Sequence, residues 1–155
     1  TFSLLTQVAG RAGRGDRPGR VLIQTYTPDH YALVCASGHD YLAFYEQELA
    51  FRQELGYPPW GFLVNLVLAG NDPARVNQSA AALAAALERA ATGVEVLGPA
   101  PCPLSRLRGK TRLQILLKAA ARPSLRRLLP TLPSLRSLLL SGVTLTVDVD
   151  PIDMF

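Results

Sequence analysis

A chain of 155 residues, 48% hydrophobic and 18% charged, has the composition of a globular protein large enough to bury a core, which excludes a disordered or fibrous chain. Its apolar runs are broken by Arg, Asn or Pro well short of the roughly 20 residues a membrane helix needs, and no leader with a basic start and a cleavage site is visible. The net charge of +4 is spread unevenly: residues 1–20 carry +3, residues 21–60 carry −4, and residues 101–127 hold eight cations and no acid. The expectation is therefore a soluble, cytoplasmic protein with two basic islands, each suited to a polyanion or an acidic partner. Because the first residue is Thr rather than Met, a fragment or a processed chain is expected.

In chain order, residues 2–9 read as a helix stopped by Gly10, and residues 21–26 as a β-branched strand reached through the Pro18-Gly19 turn. A short helix over 29–37 should end at Gly38. Asp40 can cap a longer one running to Leu55 and Gly56, with apolar positions around most of its surface, as if wedged between two bodies. Tyr57-Pro58-Pro59-Trp60-Gly61 cannot continue a helix and marks a domain boundary, giving parts 1–56 and 57–155. Trp60 reads as a packing anchor there.

Beyond it follow a strand over 62–69 and a helix over 73–91, capped by Asp72, with Pro73 at its first position and a stripe of Val76, Ala80, Leu83, Leu87 and Ala90. Then come a strand over 94–97, a proline-rich loop (Pro99, Pro101, Pro103), a basic loop, and a strand over 112–118. A helical region over 123–140 should be kinked or split by Pro130 and Pro133, and a cleanly alternating strand covers 143–149. The order β-α-β-β-α-β is that of a split βαβ sandwich, ferredoxin-like, in an α+β protein. Its uncovered face would show Thr144, Thr146, Asp148, Gln114, Leu116 and Lys118. No aromatic stands there for base stacking.

Several groups of residues bear on chemistry. Gln7-Val8-Ala9-Gly10-Arg11-Ala12-Gly13-Arg14 puts Arg11 and Arg14 three apart at a helix end, where two guanidiniums can reach one phosphate chain while Gly10 and Gly13 allow close approach of the backbone. Arg108-Gly109-Lys110-Thr111 ends as a phosphate loop does, but Leu104 stands where the first glycine belongs and the segment precedes a strand, so it is rejected as one. Without that loop, or an acidic box for Mg²⁺, the chain alone should not hydrolyse ATP. Asp148, Asp150 and Asp153 are interrupted by Pro151 and do not make a metal loop, and no metal is expected. His30 and His39 have no catalytic partner in the pattern. Cys35 and Cys102, 67 positions apart with no CxxC, read as half-buried thiols.

The octet QVAGRAGR resembles motif VI of superfamily 2 helicases. The GRGDRPGRVLIQTY, ELAFRQELGYPPWG, VLGPAP, LRGKTRLQILLK and VDVDP segments, in that order, resemble the primosomal replication-restart helicase family. The resemblance covers almost the whole chain. It implies the end of a RecA-like α/β helicase lobe over 1–56, then a domain similar to ribosomal protein S10, itself a split βαβ sandwich. It further implies that Arg11 and Arg14 would contact the γ-phosphate of ATP, held with Mg²⁺ mostly by residues outside this chain, and that Gln7 would couple nucleotide to DNA. The family's zinc-binding insertion would lie upstream. Where family members often carry aromatics, this chain has Thr111 and Leu113, which leaves a mainly electrostatic DNA contact through Arg106, Arg108, Lys110 and Arg112. Arg122 and Arg126, four apart at a helix start, would by the same resemblance lie near the docking place of the acidic tail of single-stranded DNA-binding protein.

The leading expectation is thus the C-terminal part of an ATP-dependent 3′–5′ DNA helicase of the cytoplasm and nucleoid that recognises branched forks and assembles with primosome loading proteins. The rival is a non-catalytic S10-like interaction module with a degenerate helicase remnant.

Overall fold

The structure is a computed structural model and describes residues 2–12 and 19–152. It divides into two compact units, Thr1–Glu54 and Leu55–Phe155.

In the first unit, α1 (Phe2–Ala9), α2 (Tyr31–Ser37) and α3 (Tyr41–Glu54) share a small core. Phe2, Cys35 and Ala36 are buried, with Leu5, Ala43 and Phe44 against them, and the Phe2 and Phe44 rings stack at 4.4 Å. Both later helices begin on side-chain caps that satisfy orphan N–H groups: His30 Nδ1 accepts from the Ala32 amide at 3.2 Å, and Asp40 Oδ1 from Ala43 at 2.9 Å. On α3, Glu48 accepts from the Tyr31 hydroxyl and from Arg52 Nε, the latter at 2.7 Å. No residue of α3 is buried.

The strand expected over 21–26 does not form. Gly19 to Thr25 run outside any ladder, with Leu22 97% exposed, while Val21 and Ile23 line a hollow with Leu33, Val34 and Ser37 of the α2 region. Apolar and β-branched residues favour an extended chain, but a strand exists only when a neighbour accepts its backbone groups, and among the described residues none does.

The second unit carries the expected sandwich: β1 (Phe62–Gly70), α4 (Pro73–Ala90), β2 (Glu95–Leu107), β3 (Lys110–Ala119), α5 (Arg122–Leu128), α6 (Leu132–Leu135) and β4 (Val143–Val149). All pairings are antiparallel in the order β2-β3-β1-β4, so β1 and β3 are central. Alternation sends Val64, Leu66 and Leu68 of β1 and Ile115 and Leu117 of β3 into one layer with Val76, Ala80, Leu83 and Leu87 of α4 and Leu125, Leu128 and Leu132 of the second helical stretch. Asp72 caps α4 as expected, accepting from Ala74 at 2.9 Å. Ala90 leaves the stripe and is exposed, because the helix ends there. Gly70 is required by packing: a Cβ there would lie 2.9 Å from Val76 Cγ2 and 3.0 Å from the Gly142 carbonyl oxygen.

The prolines divide the second helical stretch as expected. One-turn 3₁₀ segments at Leu129–Thr131 and Arg136–Leu138 separate and end the α-helical pieces, and the Leu140 amide closes back onto the buried Ser79 hydroxyl of α4 at 3.0 Å.

Two expectations fail along β2. The proline-rich segment and the basic loop are not loops, for a single strand runs from Glu95 to Leu107, with irregularities between Leu97 and Ala100 and between Pro101 and Arg106. It is an edge strand bonded only to β3, and edge strands with bulges tolerate residues lacking an N–H. The open face also differs from a bare polar surface. Leu116 is buried, and Lys118 is held by Glu95 at 2.7 Å and by the Leu55 carbonyl at 3.2 Å, with the Tyr57 ring 5.9 Å away.

Candidate nucleic-acid interface

Most of the acid-free segment 101–127 belongs to a β-hairpin, and its last residues begin α5. β2 and β3 are joined by Arg108 and Gly109 alone, with φ of +50° and +79°, the left-handed pair of a two-residue turn whose twist matches that of the strands it joins. Arg106 pairs with Thr111 and Leu107 with Lys110. Thr111 lies on the same side of β3 as the core residue Leu113, so Arg106 belongs to the helix-covered side and Lys110 with Leu107 to the open side. Arg106, Arg108 and Lys110 are exposed, and none is in an ion pair among those found in the described residues.

Arg112 differs from the other three. It is half-buried and its Nη1 donates to the Leu104 carbonyl at 3.4 Å, tying β3 to the irregular part of β2. Cys102 is buried in the same irregular stretch; burial pushes its thiol up, with the Arg112 charge acting against that shift. The arrangement offers three solvated cations on a braced ribbon, which can hold phosphates by charge but presents no nucleophile, base or metal ligand set. The hairpin also accounts for the apparent phosphate-loop ending: Gly109-Lys110-Thr111 turns into a strand rather than opening a helix.

Near the start of the chain, Gln7 lies exposed on α1, and the helix unwinds through the Gly10 amide on the Thr6 carbonyl and the Arg11 amide on the Val8 carbonyl, at 2.9 and 3.1 Å. Arg11 is exposed. Gly13 and Arg14 lie outside the described residues, as do Asp16, Arg17 and Asp153.

Arg122 and Arg126 both project from α5, and Arg126 is exposed. Arg122 already has partners: its Nη2 meets Asp150 Oδ2 at 3.1 Å and its guanidinium sits 4.7 Å from the Phe62 ring centre. The sequence pattern rejects Asp150 as a metal ligand but gives no sign of this pairing, which joins positions 28 apart. Among the described residues, no cluster of three His, Cys, Asp or Glu side chains stands close enough to hold a metal. Trp60, 40% exposed, lines an open groove with Gly93, Glu95 and Lys118. No helix is long and apolar enough to cross a membrane among the described residues.

The family model for the primosomal protein N C-terminal domain matches residues 53–152. Proteins named replication restart protein PriA are similar along nearly the whole chain: that of Synechocystis is 40% identical over 154 residues, covering 99% of this chain and 18% of the relative. Those of Bacillus subtilis and Treponema pallidum are 36% and 39% identical, covering 97% and 99% of this chain and 19% and 23% of theirs. The chain thus spans about a fifth of the length of the curated relatives it matches.

Proposed function

This chain belongs to the primosomal protein N C-terminal domain family, and on that premise we propose that it serves replication restart by holding DNA on the β2–β3 hairpin of an S10-like domain over 57–155. The observation that carries the reading is the acid-free end of the ribbon, where Arg106, Arg108 and Lys110 stand solvated and outside any ion pair found in the described residues, while Arg112 bonds across to β2. Solvated cations of this kind bind phosphate through counterion release, which yields affinity without sequence readout and suits a protein that must engage whatever sequence lies at a stalled fork.

In the same reading, residues 1–56 form the end of a helicase lobe. There Arg11 and Arg14, with Gly10, would contact the γ-phosphate of an ATP held with Mg²⁺ mostly by parts of the longer protein, and Gln7 would couple the nucleotide to DNA. That protein is a 3′–5′ DNA helicase of the cytoplasm, recognising branched and single-stranded DNA and handing it to primosome loading proteins. Zinc belongs to an upstream insertion. Arg126, with the donors of Arg122 that Asp150 leaves unused, offers a place for the acidic tail of single-stranded DNA-binding protein. The chain by itself supplies binding and no chemistry.

Fluorescence anisotropy with a labelled oligonucleotide tests the reading. The chain is expected to bind at about 50 mM salt and to lose affinity by ten-fold or more at about 200 mM. Arg106→Ala with Arg108→Ala is expected to weaken binding about ten-fold at the lower salt. Undetectable binding at low salt, or affinity indifferent to both substitutions, contradicts it.

A further inference from the structure

We propose that the tip of the β2–β3 hairpin seats at a junction between single-stranded and duplex DNA, with Leu107 laid on the terminal base pair and cations on opposite faces of the ribbon each holding one diverging strand. The proposal rests on the DNA-binding reading above and deepens it. Three observations carry it.

The first is the division of charge. Cross-strand register puts Lys110 on the open side and Arg106 on the helix-covered side, with Arg108 at the apex between them. One strand lying along one face of a ribbon meets cations of that face only, so charge on both faces fits two backbones that pass on either side. The second is the apolar tip. Leu107, cross-strand from Lys110, is 46% exposed at the last position of β2, and Leu104 is 50% exposed. Single exposed leucines are ordinary on protein surfaces. Leu107, however, shares the open face with the unpaired Lys110 at the last position before the turn, and apolar wedges of this size are what proteins use to unstack a base step.

The third observation is the cost of the apex. Arg108 adopts a left-handed φ of +50°, a conformation that disfavours every residue except glycine and, to a lesser degree, asparagine and aspartate. The two-residue turn would form more readily with Asn at that position. A long cation is placed there instead, while the Arg112 bond to the Leu104 carbonyl stiffens the base of the ribbon. A strained residue in a braced turn is expected where its side chain has a contact to make. A two-stranded ribbon also fits the major groove of intact duplex. The leucine favours the junction, because the groove presents mainly polar base edges whereas a terminal pair presents a flat apolar face.

The test uses the full chain and a splayed DNA, a duplex arm opening into two single strands, with 2-aminopurine at the last base pair. Saturating protein is expected to raise its fluorescence about two-fold or more as that base unstacks, and Leu107→Ala is expected to lose the rise at saturation. Arg106→Glu and Lys110→Glu are each expected to weaken binding to the splayed DNA about ten-fold, and to weaken binding to a single strand less. Saturation without a fluorescence change, a full rise with Leu107→Ala, or equal affinity for a blunt duplex lacking the junction would overturn the inference while leaving DNA binding intact. Absence of binding to any of these DNAs would overturn both readings.

Discussion

The two units hold together in different ways. In Leu55–Phe155 a four-stranded sheet and two helical stretches close on a core whose central side chains, Leu66, Leu68, Leu83, Leu87, Ile115 and Leu117, are shut off from water. In Thr1–Glu54 the buried cluster is Phe2, Cys35 and Ala36, and Leu4, Val8, Leu22, Tyr26, Val34 and Leu42 stay exposed. Hydrophobic stabilisation follows the apolar area removed from water, so the first unit leans more on directed contacts: the His30 and Asp40 caps and the Tyr31–Glu48–Arg52 cluster. A contrast in candidate residues runs beside the structural one. The basic hairpin stands on the well-packed unit, whereas Arg11 follows the end of the short helix α1.

Core truncation should separate the units most strongly. Leu83→Ala removes a fully buried side chain between α4 and the sheet and is expected to destabilise the second unit by about 3–5 kcal/mol. Thermal unfolding followed through Trp60, the chain's one tryptophan and part of that unit, reads the effect. A shift of only a degree or two would mean that the second unit is not held by this core.

A smaller effect is expected from Tyr31→Phe, about 1 kcal/mol for one hydrogen bond to a carboxylate at a partly exposed site, confined to the first unit. Its signature is in the pH dependence. Burial raises the Glu48 carboxyl, but the bonds from Tyr31 and Arg52 and the Arg52 charge outweigh it and hold the group below its ordinary value. Its contribution is present above the unfolded-state pKa and lost as pH falls through the lower folded one. Burial and the Glu48 bond push the Tyr31 hydroxyl up to about 12, so that contribution is present below the ordinary tyrosine value and lost as pH rises through about 12. Near-ultraviolet circular dichroism of the tyrosines across acid and alkaline titrations should show both losses, and Tyr31→Phe should weaken the acid one and abolish the alkaline one. Unchanged titrations in the variant would remove the cluster from the first unit's stability.

How much of this the sequence shows depends on whether the signal is local. The Asp72-Pro73 helix start, the alternation of Val143–Val149 and the division at Pro130 and Pro133 were all legible, because capping, period and the missing proline N–H act within a few residues. Strand 21–26 was misread because pairing needs a neighbour that β-branched composition cannot supply. β2 was misread because prolines argue against a strand unless the strand is known to lie at an edge, which is a tertiary fact. At the candidate site, the basic residues and their freedom from acids were visible, but the hairpin was hidden behind an Arg-Gly turn lacking the usual Asn-Gly or Asp-Gly signature. Its division into two faces, the half-burial of Arg112 and the Arg122–Asp150 pair required the register and the fold.

The most direct test of the hairpin's role is the slope of log affinity against log salt for single-stranded DNA, compared between the chain and Arg106→Gln/Arg108→Gln/Lys110→Gln. Each phosphate neutralised on a single strand contributes about 0.7 to that slope, so losing three cations should flatten it by about two. An unchanged slope, with the variant still folded by circular dichroism, would place the DNA contact elsewhere on the molecule.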